Sequence, residues 1–133
     1  SNGGYGQPGA VEDLSRDAIR VQFETNLFGT MELINRVIPV MRKQGFGRII
    51  QCSSILGFVA LPYRGAYIAS KYALEGLTDT LRLELSKTPI RVSLIEPGPI
   101  TTSYKFNSLK FFKKYIAAET SPHSESYKYL ENS

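Results

Sequence analysis

Tyr67 and Lys71 stand four residues apart, and Ser54 precedes Tyr67 by thirteen. On a helix, positions four apart share one face, one turn above each other. A phenol and an ammonium placed so can address a single reacting centre. A free tyrosine titrates near pH ~10, too high for proton transfer at neutrality. A cation beside it lowers that value, so the spacing predicts that Lys71 draws the Tyr67 phenol down. The Ser54 hydroxyl, leaving the end of a short apolar run, can bond the same substrate oxygen. Such a set moves a proton on or off an alcohol or carbonyl oxygen. Each piece also has a plainer explanation. A lone Tyr-x-x-x-Lys is usually a surface pair, and paired serines such as Ser53-Ser54 are usually turn chemistry.

The elements that must position these groups are legible as periodicities. Ser15 is a helix N-cap. Ile19, Phe23, Leu27, Met31 and Ile34 then recur at helical spacing. Pro39 predicts a kink or a late helical turn, and Gly45 and Gly47 end the segment. Arg48 to Cys52 reads as a buried parallel strand. Its carboxyl end, where open α/β sheets bind ligands, delivers Ser53 and Ser54. Arg64 to Lys87 is a second long helix with an apolar face through Ala66, Leu74, Leu81 and Leu85. Ile90 to Ile95 is a second strand, closed by Glu96-Pro97-Gly98. The aromatic segment 104–116 is an amphipathic helix, followed by a frayed tail in which His123 is exposed. Asn26, mid-helix, is by itself a solvated surface residue.

At 133 residues the chain fits one modest domain. Its net charge of +4 is scattered rather than striped, which argues against a nucleic-acid surface. The single cysteine, Cys52, excludes an intrachain disulfide or a Cys-based metal site and reads as a buried thiol. No residue pair has metal-ligand character, so no metal is expected. No apolar run approaches a membrane span and no signal peptide is visible, which gives a cytoplasmic expectation.

Taken in order, the motifs resemble the short-chain dehydrogenase/reductase family, and look closest to its steroid- and retinol-dehydrogenase-like branch. Asn2-Gly3-Gly4, Glu-Thr-Asn26-Leu-Phe-Gly, Ser54 with Tyr67-Ile-Ala-Ser-Lys71, and Pro97-Gly98-Pro99-Ile100-Thr101-Thr102 match the family's pattern from Asn2 to about Thr102. The resemblance implies an α/β fold, part of a Rossmann-like doubly wound parallel sheet flanked by long helices. It implies reversible hydride transfer between NAD or NADP, with NADP favoured, and a small-molecule alcohol or carbonyl. Tyr67 is then the general acid/base and Lys71 its electrostatic partner. Ser54 orients the substrate oxygen, and Asn26 distorts its helix and completes a proton relay. Asn2, Gly3, Gly4, Tyr67, Lys71, Pro97, Gly98, Ile100 and Thr102 are the implied cofactor contacts.

The family's glycine-rich turn, which holds the pyrophosphate at a helix N-terminus, does not occur in this sequence. Residues 1–133 therefore read as the carboxyl-terminal portion of one such domain, with 103–133 as its variable substrate-covering segment and tail. Two functions stay open: an oxidoreductase when full length, or an inactive folding or dimerisation module. The aromatic segment hints at a bulky apolar substrate. The helices at 16–43 and 64–87 are the expected homo-oligomer contact, as is common in the family.

Overall fold

A computed structural model describes residues 4–98 and 104–132. Helix α1, Arg16–Phe23, begins where Ser15 Oγ accepts the Ala18 N–H at 3.0 Å, satisfying one of the first turn's orphan donors. It passes into a π-helical turn, Glu24–Phe28, and then into α2, Gly29–Gln44. Pro39 lies in the closing turns of α2, which continues through it to Gln44. Proline removes one N–H and frees the carbonyl four residues earlier. That carbonyl belongs to Asn35, which, like Pro39, lies on the exposed flank where water can take the bond. Gly45 stops the helix in the left-handed conformation, φ 81°, its N–H returning to Met41 and Arg42 carbonyls.

Strand β1, Gly47–Cys52, pairs in parallel with β2, Ile90–Ile95, in register from Gly47 opposite Ile90 to Cys52 opposite Ile95. Helix α3, Gly65–Glu84, makes the crossover between them. One core follows from this unit: Ile34 of α2, Ile49 and Val92 of the sheet, and Leu85 and Ile90. The strand is not buried on both faces as expected. Burial alternates along it, and Ile50 is 47% exposed. Among the described residues, helices cover only the face that carries Ile49 and Val92. Cys52 is likewise half-buried rather than buried.

The carboxyl-terminal segment is more ordered than a frayed tail. Helix α4, Tyr104–Tyr115, is followed by a 3₁₀ turn at Ala118–Thr120 and by α5, Ser124–Asn132. Phe112, Ile116 and Tyr127 close a second core with Ala10. The Tyr127 hydroxyl accepts the Ala10 N–H at 2.8 Å and donates to the Asp13 carboxylate, which also accepts from Ser121. His123 is half-buried, not exposed. Its ring stands edge-on to Tyr63 and its Nε2 lies 2.5 Å from a Glu12 oxygen. Tyr127 and Leu130 form too short an apolar stripe to announce a helix amid Ser, Glu and Lys. Packing against residues 10–14 supplies what local periodicity lacks.

Candidate active site

The π-helical turn sets the first residue of the site. One extra residue in the turn rotates Asn26 inward, and π-turns inside α-helices recur at functional positions. Asn26 is 1% exposed, so the solvated reading does not hold. Its Oδ1 accepts the Tyr5 N–H at 3.0 Å, and its Nδ2 donates to the Tyr5 carbonyl at 2.9 Å and to Ser70 Oγ at 3.2 Å. Ser70 in turn donates to the Tyr67 carbonyl at 2.7 Å. Asn26 thus ties the loop at Tyr5 to the helix that carries Tyr67. Gly4 permits this closeness, because a Cβ there would sit 2.9 Å from Asn26 Oδ1.

Ser54 emerges at the carboxyl end of β1, after Ser53 N–H extends the ladder to the Ile95 carbonyl at 2.8 Å. A 3₁₀ turn, Ile55–Gly57, follows, with the Leu56 N–H bonded to Ser54 Oγ at 3.2 Å. The Ser54 side chain is also hydrogen-bonded with the Tyr67 phenol and favours its phenolate form. Tyr67 lies in the first turn of α3, one turn before Lys71. The Lys71 ammonium is 5.6 Å from the Tyr67 ring centre and donates to the Cys52 carbonyl at 3.1 Å. Ser54, Tyr67 and Lys71 are therefore brought together, and Asn26 braces them from behind.

The electrostatics differ from the sequence expectation. The Tyr67 phenol is pushed up, chiefly by burial, with the Ser54 hydroxyl pulling it down and the Cys52 thiol adding slightly to the rise. Lys71 is held below its ordinary value, again by burial first, while Cys52 and Glu75 act to restore it. The physical reason is that desolvation penalises each charged form. The Ser54 side chain favours the phenolate against that burial.

Gly4 lies against Asn26, while Pro97 and Gly98 follow β2, and a Cβ at Gly98 would meet nothing within 4 Å. Asn2, Gly3, Ile100 and Thr102 fall outside the described residues. Sequence reasoning missed Ser70, whose hydroxyl links Asn26 to Tyr67. It also missed Gln22 and Gln7, buried partners that fasten the loop: the Gln7 N–H donates to Gln22 Oε1 at 2.7 Å, and Gln22 Nε2 donates to the Tyr5 carbonyl at 2.7 Å. An interior glutamine on a polar helix face gives no periodic signal. In α4, Phe111 stacks on Tyr5 at 3.9 Å and Phe112 is buried. The segment joining Ser54 to Tyr67 instead exposes Phe58, Val59 and Leu61. A separate cleft of about 550 Å³ is lined by Ala10, Val11, Glu12, Pro62, Tyr63 and His123, and by none of Ser54, Tyr67 or Lys71.

Among the described residues no cluster of His, Cys, Asp and Glu could hold a metal ion, and no helix is long and apolar enough to cross a membrane.

Comparison with known proteins agrees with this fold. The family model described as short chain dehydrogenase matches residues 1–110. The chain is 48% identical over 107 residues to the uncharacterized oxidoreductase YbbO of Escherichia coli, covering 80% of this chain and 40% of that protein. It is 35% identical over 127 residues to retinol dehydrogenase 8 of Bos taurus, covering 96% of this chain and 41% of that protein. A solved 4-hydroxyisoleucine dehydrogenase complexed with NADH superposes with a TM-score of 0.72 at 34% identity, covering 81% of this chain and 48% of that one. The chain spans about 40% of the length of these curated relatives. With its parallel βαβ unit, its Ser54–Tyr67–Lys71 cluster and this match over most of its length, the chain belongs to the short-chain dehydrogenase/reductase family.

Proposed function

We propose that the whole protein is a nicotinamide-dependent oxidoreductase that interconverts an alcohol and a carbonyl, with Tyr67 as its general acid/base. The observation that carries this reading is the Ser54 hydroxyl bonded to the Tyr67 phenol, with the Lys71 ammonium one turn along the same helix. In the reducing direction Tyr67 gives its proton to the carbonyl oxygen as that oxygen gains negative charge. A phenol held up by burial is protonated at neutral pH, as a proton donor must be. In the oxidising direction the phenolate accepts the alcohol proton, and the Ser54 hydroxyl stabilises it. Ser54 also offers a hydrogen bond to the substrate oxygen and so fixes its direction.

The donor set fits the nicotinamide end of a dinucleotide. An ammonium has three N–H donors, and Lys71 directs one to the Cys52 carbonyl, which orients the others. A cation beside a phenol suits a ribose diol next to a reacting oxygen. Lys71, Tyr67, Gly4, Pro97 and Gly98 are the described residues that would hold this end. Asn2, Gly3, Ile100 and Thr102 are the further contacts, and NADP is the favoured form. The cofactor supplies the hydride; the protein supplies position and charge. The pyrophosphate turn is not encoded in these 133 residues, so this stretch alone is inactive.

The exposed Phe58, Val59 and Leu61, in the segment that joins the two catalytic elements, favour a bulky apolar substrate. The relative named retinol dehydrogenase 8 points the same way. Self-association through the faces of α1–α2 and α3, and a cytoplasmic setting, complete the reading.

Tyr67→Phe in the full-length protein tests it. The expected result is turnover reduced by about a hundredfold or more, the scale of a lost general acid/base, with cofactor affinity nearly unchanged. Undiminished turnover refutes the role given to Tyr67.

A further inference from the structure

Glu75 is a half-buried carboxylate that the proton chemistry above does not use. It lies on α3 one turn beyond Lys71 and points back at the loop that carries Ser54. A Cβ built on Gly57 would fall 2.6 Å from Glu75 Oε1, 2.9 Å from Glu75 Cγ and 2.8 Å from Ser53 Oγ. Three elements therefore meet at one point: the end of β1 through Ser53, the 3₁₀ turn through Gly57, and α3 through Glu75. Glu75 Oε1 and Ser53 Oγ are both shielded from water without a hydrogen bond of good geometry. The Ser53 hydroxyl still favours the carboxylate form, while burial and the Glu96 and Asp79 carboxylates oppose it and Arg82 offsets them. A polar group left half-satisfied in a shielded position is costly unless it does something there.

We propose that Glu75 is a positioning residue: its carboxylate, seated between Ser53 and Gly57, sets how closely the Ser54-bearing loop approaches the helix that carries Tyr67 and Lys71. The inference rests on the oxidoreductase reading above. Ser54 is the residue after Ser53, and the Gly57 N–H closes the turn on the Ser54 carbonyl at 2.8 Å, so a shift at either contact moves the Ser54 hydroxyl relative to the Tyr67 oxygen. Gly57 is required because any side chain there displaces Glu75 or Ser53. The same carboxylate faces Lys71 along the helix and favours its charged form against the pull of burial.

The test is a double-mutant cycle in the full-length enzyme, reading kcat, KM and cofactor Kd. Glu75→Ala lowers kcat about tenfold or more, as expected for a misplaced reacting group, and leaves the cofactor Kd within about twofold. Glu75→Gln, which keeps the side chain's length and an oxygen facing Ser53 and Gly57, recovers most of that loss. Gly57→Ala is harmful on its own but costs measurably less in the Glu75→Ala background, because Glu75 Oε1 and Cγ are gone and only Ser53 Oγ still collides. Glu75→Ala with kcat within about twofold of wild type, or a cycle that is simply additive, overturns the proposal. If Glu75→Ala does not fold, Ser53→Ala removes the opposing hydroxyl alone, and wild-type turnover there overturns it equally. Turnover that survives Tyr67→Phe sinks the parent reading; turnover abolished there but indifferent to Glu75 sinks only the positioning role.

Discussion

At the scale of single residues, the site is governed by desolvation as much as by charge. Burial raises the Tyr67 phenol and lowers the Lys71 ammonium, and the Ser54 hydroxyl favours the phenolate. Removing that donor raises the Tyr67 pKa further. Ser54→Ala in the full-length enzyme is therefore expected to move the rising limb of the alcohol-oxidation pH profile to higher pH, besides lowering kcat. A limb that stays in place or moves to lower pH contradicts the assignment of Ser54 as the donor. The spacing of Ser54, Tyr67 and Lys71 was readable because helical geometry turns a four-residue interval into a shared face. The direction of the phenol's shift was not, because sequence shows a cation's presence but not how much water it has lost. Asn26 shows the same limit. Its motif is legible, but only the fold reveals that its side chain is fully engaged by Tyr5 and Ser70.

At the scale of elements, both strands and both long helices fall close to where periodicity puts them, and β2 coincides with the expected Ile90–Ile95. Glycines explain the joints between them. Gly45 takes a left-handed turn, and Gly47 lies so close to α2 that a Cβ would come 2.4 Å from the Met41 sulfur and 2.8 Å from its Cβ. Met41 belongs to the core beside Ile49 and Leu85, so it cannot move freely aside. Gly47→Ala is expected to destabilise the full-length protein by about 1–3 kcal/mol through overpacking, read as a lower urea midpoint with an unchanged slope. An unshifted midpoint rejects that account of the α2–β1 joint. Pro39 falls in the closing turns of α2, in keeping with a late helical turn, and the carbonyl it frees belongs to Asn35 on the exposed flank.

At the scale of the whole molecule, the carboxyl-terminal helix is held by polar bonds to the start of the chain. Asp13 accepts from Ser121 and Tyr127, and these hydrogen bonds hold its carboxyl below the usual carboxylate range. A depressed carboxyl contributes stability above its unfolded value, near pH ~4, and loses it as pH falls through the folded value. Hydrogen-exchange protection in α5 is therefore expected to fall on acidification below about pH 4 before the βαβ core opens, and Tyr127→Phe is expected to show that loss already at neutral pH. Uniform exchange across α5 and the core at low pH counts against it. None of this was visible in the sequence, because Asp13 and Tyr127 stand 114 residues apart and neither belongs to a periodic pattern.

That long-range tie also bears on how the protein is made. A chain leaves the ribosome from its amino end, and α5 is among the last of these residues to emerge. The loop from Tyr5 to Asp13, which braces Asn26 at one end and receives Tyr127 at the other, cannot reach its final shape until then. Synthesis halted before Tyr127 should therefore leave a nascent protein whose βαβ unit has formed but whose loop beside Asn26 is still loose.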